Sequence, residues 1–565
     1  MEFFISQEAD YIGAIAGLNI HHLPTLIVEY FLFQECSWNE LCNFGVEPYR
    51  LQESGGIVWA DGSAWNYGRG QAPERPEFNY TRDADYCSGA SVMVPRALWN
   101  DLGGFDEAFS PGYYEDTDLA FRIREAGYRV LYQPFSRVIH FEGVSAGTNP
   151  SGGMKRSQTV NREKFLDRWR KVVADHVLPD RARTYYADRR ARRHVLVCDA
   201  STPTPDQDSG SCDTVALMQA LQNLGCHVTF VAASNLLHMG RYTENLQRMG
   251  IECLYAPFLL SLEDYLRQEG WRFDLVILCR WLVANQCLDA VKAHAGRARV
   301  VFDTVDLHYL RLEREAALRG SKKGLAEAAS VRELEVAIMH RVDRTLLRSR
   351  YERDLIAGLD PQISTLVMPI CREIPGRLAG FDERRDVVFL GGFAHPPNVD
   401  AVVFFVKEVW PRVRARLADC RFVVVGSGVG PEVAALADEE GRVVVRGFVP
   451  DLAEVFRECR LTVAPLRYGA GVKGKVVTSL TYGVPCVATS VAVEGTLLVD
   501  GEHVLVADEP ETMAEALVRL DTDRNLWYRL SDGGLAFARE NFPPAVLKPW
   551  VRALFVSLEL LPESG

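Results

Sequence analysis

Three things are scarce in this 565-residue chain, and each scarcity removes a class of function. Long apolar runs are missing. The longest early one, LPTLIVEYFLF from Leu23, carries Glu29 and falls well short of the roughly 20 residues that a membrane-spanning helix requires. Positive charge is in deficit: 63 Lys and Arg against 75 Asp and Glu leave a net charge of −12, which argues against a ligand held through nucleic-acid phosphates. The basic run RRARRHVLV from Arg189 leads into an apolar strand pattern and reads as a solvated linker. Metal-binding cysteine spacing is also absent. The thirteen cysteines include no C-x-x-C pair, and they read as buried, reduced thiols of a cytoplasmic protein. The first residues lack the basic segment of a signal peptide.

What is present is an ordinary globular composition, 48% hydrophobic and 24% charged, in a chain too long for one core. From residue 193 onward, short apolar runs alternate with helix-length amphipathic segments: HVLVCDA, HVTFVAA, FDLVILC and ARVVFDT, then DVVFLGG, RFVVVGSG, RVVVRGF, LTVAPL and PCVATS. Continuous runs of this kind are parallel strands buried on both faces, and the alternation predicts an α/β fold with two Rossmann-like doubly wound domains facing across a cleft. The predicted boundaries are residues 1–175, a linker at 176–192, a first lobe at 193–375 and a second at 376–565. A long charged helical region is expected over residues 310–340.

Ligands of such sheets sit beyond the carboxyl ends of the strands, so the loops there are the candidate sites. In STPTPDQDSGSCD, Gly210 would let backbone N–H groups approach an anion at a helix start. In FLGGFAHPPNVDA, Gly391 and Gly392 end a strand, and Asn398 or Asp400 is expected to cap the next helix. VVVGSGVGPEV carries Gly426, Gly428 and Gly430, but Pro431 stands where a dinucleotide motif needs its third glycine, which disfavours a nicotinamide cofactor. In GAGVKGK, glycines surround Lys473 and Lys475 just before a helix, a combination of N–H donors, helix dipole and ammonium charge suited to phosphates.

The pieces DSGS, FDTVDLHYLR, FLGGFAHPPNVDA, GAGVKGK and YGVPCVATSVAVEG together resemble the family 4 glycosyltransferases of the GT-B fold over residues 193 to about 555. That resemblance implies transfer of a sugar from a nucleotide-sugar, with retention of anomeric configuration and no required metal. The second lobe would hold the nucleotide and the first mainly the acceptor. It implies that Lys473 or Lys475 neutralises the leaving diphosphate, that His308 lies near the reacting centre, and that Glu494 contacts the sugar or the nucleotide. One departure weakens the donor site: the family's ribose-binding glutamate is Thr478 here, and its partner glutamate is Ala470. Losing a charge-assisted contact of that kind costs roughly 1.5–3 kcal/mol.

Residues of about 50 to 150 resemble a different family, the family 2 glycosyltransferases of the GT-A fold, on DADYCSGASVMVPRALWNDLGGFDEAF, YYEDTDLAFRIREAGYRV and HFEGVS. The resemblance makes Asp116, beside Glu115, the ancestral base for an inverting attack, and matches His140 to a histidine that helps hold a metal diphosphate. The same acids also suit the first turn of a helix ending at Gly127. No D-x-D occurs in the first fifty residues. This domain is therefore expected to be a partial GT-A domain whose base is idle, with a divalent metal needed only if it were active.

The sequence thus predicts a cytoplasmic glycosyltransferase for surface polysaccharide or lipopolysaccharide assembly. Its partners would be a nucleotide-sugar donor and a glycan or lipid-linked acceptor, and peripheral association with the inner face of the membrane is compatible with that role. Two rivals stand beside it: a non-catalytic sugar-nucleotide or glycan-binding subunit with decayed sites, and a GT-B-like epimerase that uses no acceptor.

Overall fold

The computed structural model describes residues 11–12, 26–29, 32–34, 50–139, 155–179 and 187–562. Two compact units emerge. One comprises Met1–Arg192, His227–Phe230 and His238–Leu260; the other comprises Arg193–Cys226, Val231–Leu237 and Ser261–Gly565.

Two larger sheets follow in the chain. The first has the strand order Glu252–Leu254, Cys226–Ala232, Arg193–Asp199, Leu275–Cys279, Arg299–Asp303, Arg344–Leu347, Thr365–Val367. The second runs Val443–Gly447, Phe422–Val425, Arg385–Leu390, Cys459–Ala464, Cys486–Ala488, Leu505–Val506. Neighbours pair in parallel, as in Val195 with Leu275 and Val387 with Phe422. Every residue of Leu275–Cys279 and of Phe422–Val425 is buried, because helices cover both faces. Rings and aliphatic chains such as Phe389, Trp410 and Trp527 fill the core of the second lobe. In both sheets the order reverses beside the central strand: at Arg193–Asp199 with Leu275–Cys279, and at Arg385–Leu390 with Cys459–Ala464. Those reversals open a crevice where loops can hold a ligand.

Seven helices matter below: α1 (Glu115–Glu125), α2 (Ser209–Asn223), α3 (His308–Leu318), α4 (Lys322–Arg341), α5 (Pro396–Phe404), α6 (Gly474–Thr481) and α7 (Leu547–Ser557). The charged helical region expected over 310–340 is the pair α3 and α4. Gly320, at φ +63°, turns the chain between them, and Ser321 caps α4. Helix α5 starts earlier than expected. Pro396 and Pro397 occupy its first two positions behind His395, so neither Asn398 nor Asp400 is its cap. Asp400 pairs with Arg467 instead.

In the first unit, Leu26–Glu29 pairs in parallel with Val130–Gln133, which also pairs antiparallel with Arg82–Asp83. Short strands therefore do occur within the first fifty residues. Helix α1 ends as its sequence predicts: Gly127 is left-handed at φ +87°, and the N–H of Tyr128 reaches back to the Ile123 carbonyl.

Candidate functional site

The loop Gly469–Lys473 leaves the second lobe and meets the first. A Cβ on Gly471 would lie 3.1 Å from that of Asp306, and one on Gly474 would strike Ser209. Only glycine, at φ +70° for Gly471, allows this approach. Gly392 is equally close to the other lobe, its absent Cβ 3.2 Å from the Gln207 carbonyl. Gly428 stands in the next loop at φ +70°.

Lys473 precedes α6 and Lys475 is its second residue. Both are half-buried. The Lys475 ammonium donates to Asn398 Oδ1 and lies 4.7 Å from the Phe389 ring centre. Asn398, deprived of a capping role, uses its Nδ2 to donate to the Gly392 carbonyl at 2.6 Å. Lys473 Nζ donates to the Gly471 carbonyl. Among the described residues, neither ammonium has a carboxylate hydrogen-bonded to it. Desolvation therefore lowers Lys475 to about 7, helped by the charge of Lys473, and lowers Lys473 to about 8.

Across the crevice, His308 opens α3. Glu335 of α4 accepts its backbone N–H at 3.2 Å and that of Tyr309 at 2.8 Å, fixing the helix start. The imidazole Nδ1 meets Arg311 rather than an aspartate, and the ring lies 5.5 Å from Trp281. Burial, then Arg311, lowers His308 to about 4, so it is neutral at pH 7. The second lobe contributes another neutral imidazole, His395, lowered to about 4 by burial and then by Arg311. His395 stands in the motif whose Gly391, Gly392, Asn398 and Asp400 are sequence candidates, but a lone histidine before two prolines carries no local signal of its own. Arg372 was missed as well. It pairs with Asp213 and contacts Ser209 of α2.

The remaining expected residues fall around this core. Gly210 lies inside the first turn of α2, where Asp208 already caps the Ser211 N–H at 2.9 Å, and the Arg280 guanidinium stands 3.0 Å from where a Cβ would be. That helix start is thus less open to an anion than its sequence suggests. Thr478 is half-buried on α6 and Ala470 is buried in the glycine loop. Glu494 is gripped by Arg314 of α3 through both oxygens, at 2.9 and 2.8 Å.

Asp116 stands in the first unit. The three acids of α1 each do something different, and none caps it: the N-cap is Tyr114, left-handed at φ 72°. Asp116 accepts from the Gly89 N–H at 2.9 Å and from the Thr117 N–H at 2.6 Å. Asp118 is fully buried, taken by Arg122, Arg168 and the Trp169 indole. Among the described residues, one buried oxygen of Glu115 has no hydrogen-bond partner. Burial raises Asp116, raises Glu115 to about 7 with help from Asp116, and raises Glu53 to about 8. His140 lies outside the described residues.

The lysine electrostatics have a measurable sign. A diphosphate stabilises the ammonium forms, so binding at pH 8 should draw protons onto Lys475 and Lys473. Calorimetric enthalpies measured in phosphate and in Tris should then differ, and affinity should weaken as pH rises from 7 to 9. A flat affinity across that range would refute the assignment of these lysines.

Residues 384–523 match the family model described as "Glycosyl transferases group 1". The solved structure of Anabaena HepE in complex with UDP and glucose superposes with a TM-score of 0.50 at 14% identity, covering 65% of this chain and 100% of that one. The likeness is one of fold, the two-lobed GT-B architecture. Among curated proteins, an N-acetylglucosaminyl-diphospho-decaprenol L-rhamnosyltransferase of Mycobacterium tuberculosis is 36% identical over 70 residues, 12% of this chain and 22% of that protein. A protein of the Klebsiella pneumoniae cps region is 22% identical over 164 residues, 28% of this chain and 42% of that protein. This chain spans less than half the length of either relative. No described helix is long and apolar enough to cross a membrane.

Proposed function

We propose that the two-lobed unit transfers a sugar from a nucleotide-sugar to a glycan or lipid-linked acceptor, with retention and without a metal, in assembly of surface polysaccharide or lipopolysaccharide. Lys475 and Lys473 take the diphosphate. Gly392, Gly428 and Thr478 line the donor side, Gly210 flanks it, Glu494 faces the sugar, and His308 stands at the reacting centre. The observation that carries this reading is the pair of ammonium groups at the start of α6, which among the described residues lack a hydrogen-bonded carboxylate, lie near the neutral His395, and belong to a loop whose Gly471 meets Asp306, two residues before His308. The lobes are taken as residues 193–375 and 376–565, behind a partial GT-A domain at 1–175, and the site of action as the cytoplasm, with peripheral contact at the membrane's inner face.

A thermal-shift screen of nucleotide-sugars, followed by NMR of the product anomer, tests this function, because a ligand that binds only the folded state stabilises it by RT ln(1 + [L]/Kd). No shift with any nucleotide-sugar would defeat it. Thr478 and Ala470 favour a second reading, a binding subunit without turnover; donor binding with no product under any acceptor would select it. The base of the first unit is idle in our reading. Asp116→Asn should leave the initial rate of transfer unchanged, and a fall of about tenfold or more would show that this unit performs chemistry.

A further inference from the structure

Glu494 caps the end of the short helix Ser490–Val493 that follows the strand Cys486–Ala488, yet the group that holds it belongs to the other lobe. Arg314, six residues along α3 from His308, donates Nη1 to Glu494 Oε1 at 2.9 Å and Nη2 to Oε2 at 2.8 Å. The same Nη1 donates to the Gly469 carbonyl at 2.7 Å, and Nη2 to the Tyr351 hydroxyl at 3.0 Å. Arg314 and Glu494 keep only 21% and 19% of their side-chain exposure, so the pair is largely shielded from water. A bidentate arginine–carboxylate fork fixes the carboxylate plane as well as its position, which a lysine cannot do.

We propose that Arg314 is a positioning residue of the donor pocket: from the acceptor-side lobe it orients Glu494 and the Gly469 turn, so that the pocket is complete only when the lobes are closed. This rests on the function proposed above. The Tyr351 hydroxyl, which accepts from Arg314, also bonds Glu494, and the carboxylate capacity left by these two partners faces the hydroxyls of a donor. It also neutralises a carboxylate that would otherwise repel the diphosphate beside Lys473. Because Ala470 and Thr478 supply no carboxylate on that side, donor recognition through a charged acceptor depends on how Glu494 is aimed.

The test is a double-mutant cycle on donor affinity, run by calorimetry with the tightest binder from a panel of UDP-glucose, GDP-mannose and dTDP-rhamnose. Arg314→Ala and Glu494→Gln should each weaken binding about ten- to hundredfold, the scale of a lost charge-assisted contact. Arg314→Ala should add almost nothing in the Glu494→Gln background. Arg314→Lys should retain the fold, by melting temperature, yet bind close to the alanine variant. Additive effects, or full rescue by lysine, would overturn the positioning role. If the parent protein binds none of the panel, it is the proposed function that fails, and the inference falls with it.

Discussion

Lys475→Met is expected to weaken nucleotide-sugar binding by roughly a hundredfold while raising the melting temperature of the unliganded protein. The two effects share one cause. In the free protein the ammonium is held by a neutral amide and the face of a phenyl ring. Neither returns the hydration it has lost, which is why burial brings its pKa down to about 7. The sign follows from linkage. Between pH 7 and 10.5 the unfolded chain binds the proton more tightly than the folded one, so this group favours folding more as pH rises and opposes it most at neutral and acid pH. Methionine fills a similar volume, keeps the contact with Phe389 and removes the charge. A diphosphate loses a charge-assisted partner worth up to about 3 kcal/mol, or roughly a hundredfold in Kd. Calorimetry and thermal melts on one sample decide the matter. Undiminished binding, or a lower melting temperature at pH 7, would contradict this account of the site.

The second large effect concerns stability. Asp303 ends the strand Arg299–Asp303 and is completely buried, and Arg348 is only 5% exposed. Arg348 Nη2 donates to Asp303 Oδ2 at 2.5 Å, while Oδ1 accepts the Val305 N–H at 3.1 Å. Asp303→Ala strands a buried guanidinium whose Nε already lacks a hydrogen bond. Breaking a buried pair from one side costs about 3–5 kcal/mol, a large part of a typical domain's stability. Urea denaturation should show that loss, and the turn carrying Val305, at φ 62°, should loosen with it. A loss below about 1 kcal/mol would mean that water or another group reaches Arg348.

The sheets were legible because strands buried on both faces must be written as unbroken apolar runs, as FDLVILC and RFVVVGSG are. The glycine–lysine loop was legible because close backbone approach and anion affinity both constrain residue type. The start of α5 was misread for a local reason: Asn398 and Asp400 are good caps, but the prolines before them are the stronger marker of a first helical turn. The setting of α1 was opaque. Nothing in two consecutive tyrosines announces the left-handed conformation that Tyr113 and Tyr114 adopt before Asp116. The grip of Arg314 on Glu494 joins residues 180 positions apart, and no local pattern encodes it.

The path of α7 constrains how the molecule can be made. This helix follows the second lobe in sequence but packs against α2 of the first, where Arg193 donates to the Leu560 carbonyl and Arg344 to that of Ser557. During synthesis the amino-terminal half of the pair must therefore wait, with that flank bare, until nearly two hundred further residues have left the ribosome. Cutting the gene between the lobes would yield one fragment missing a wall and another carrying an orphan helix.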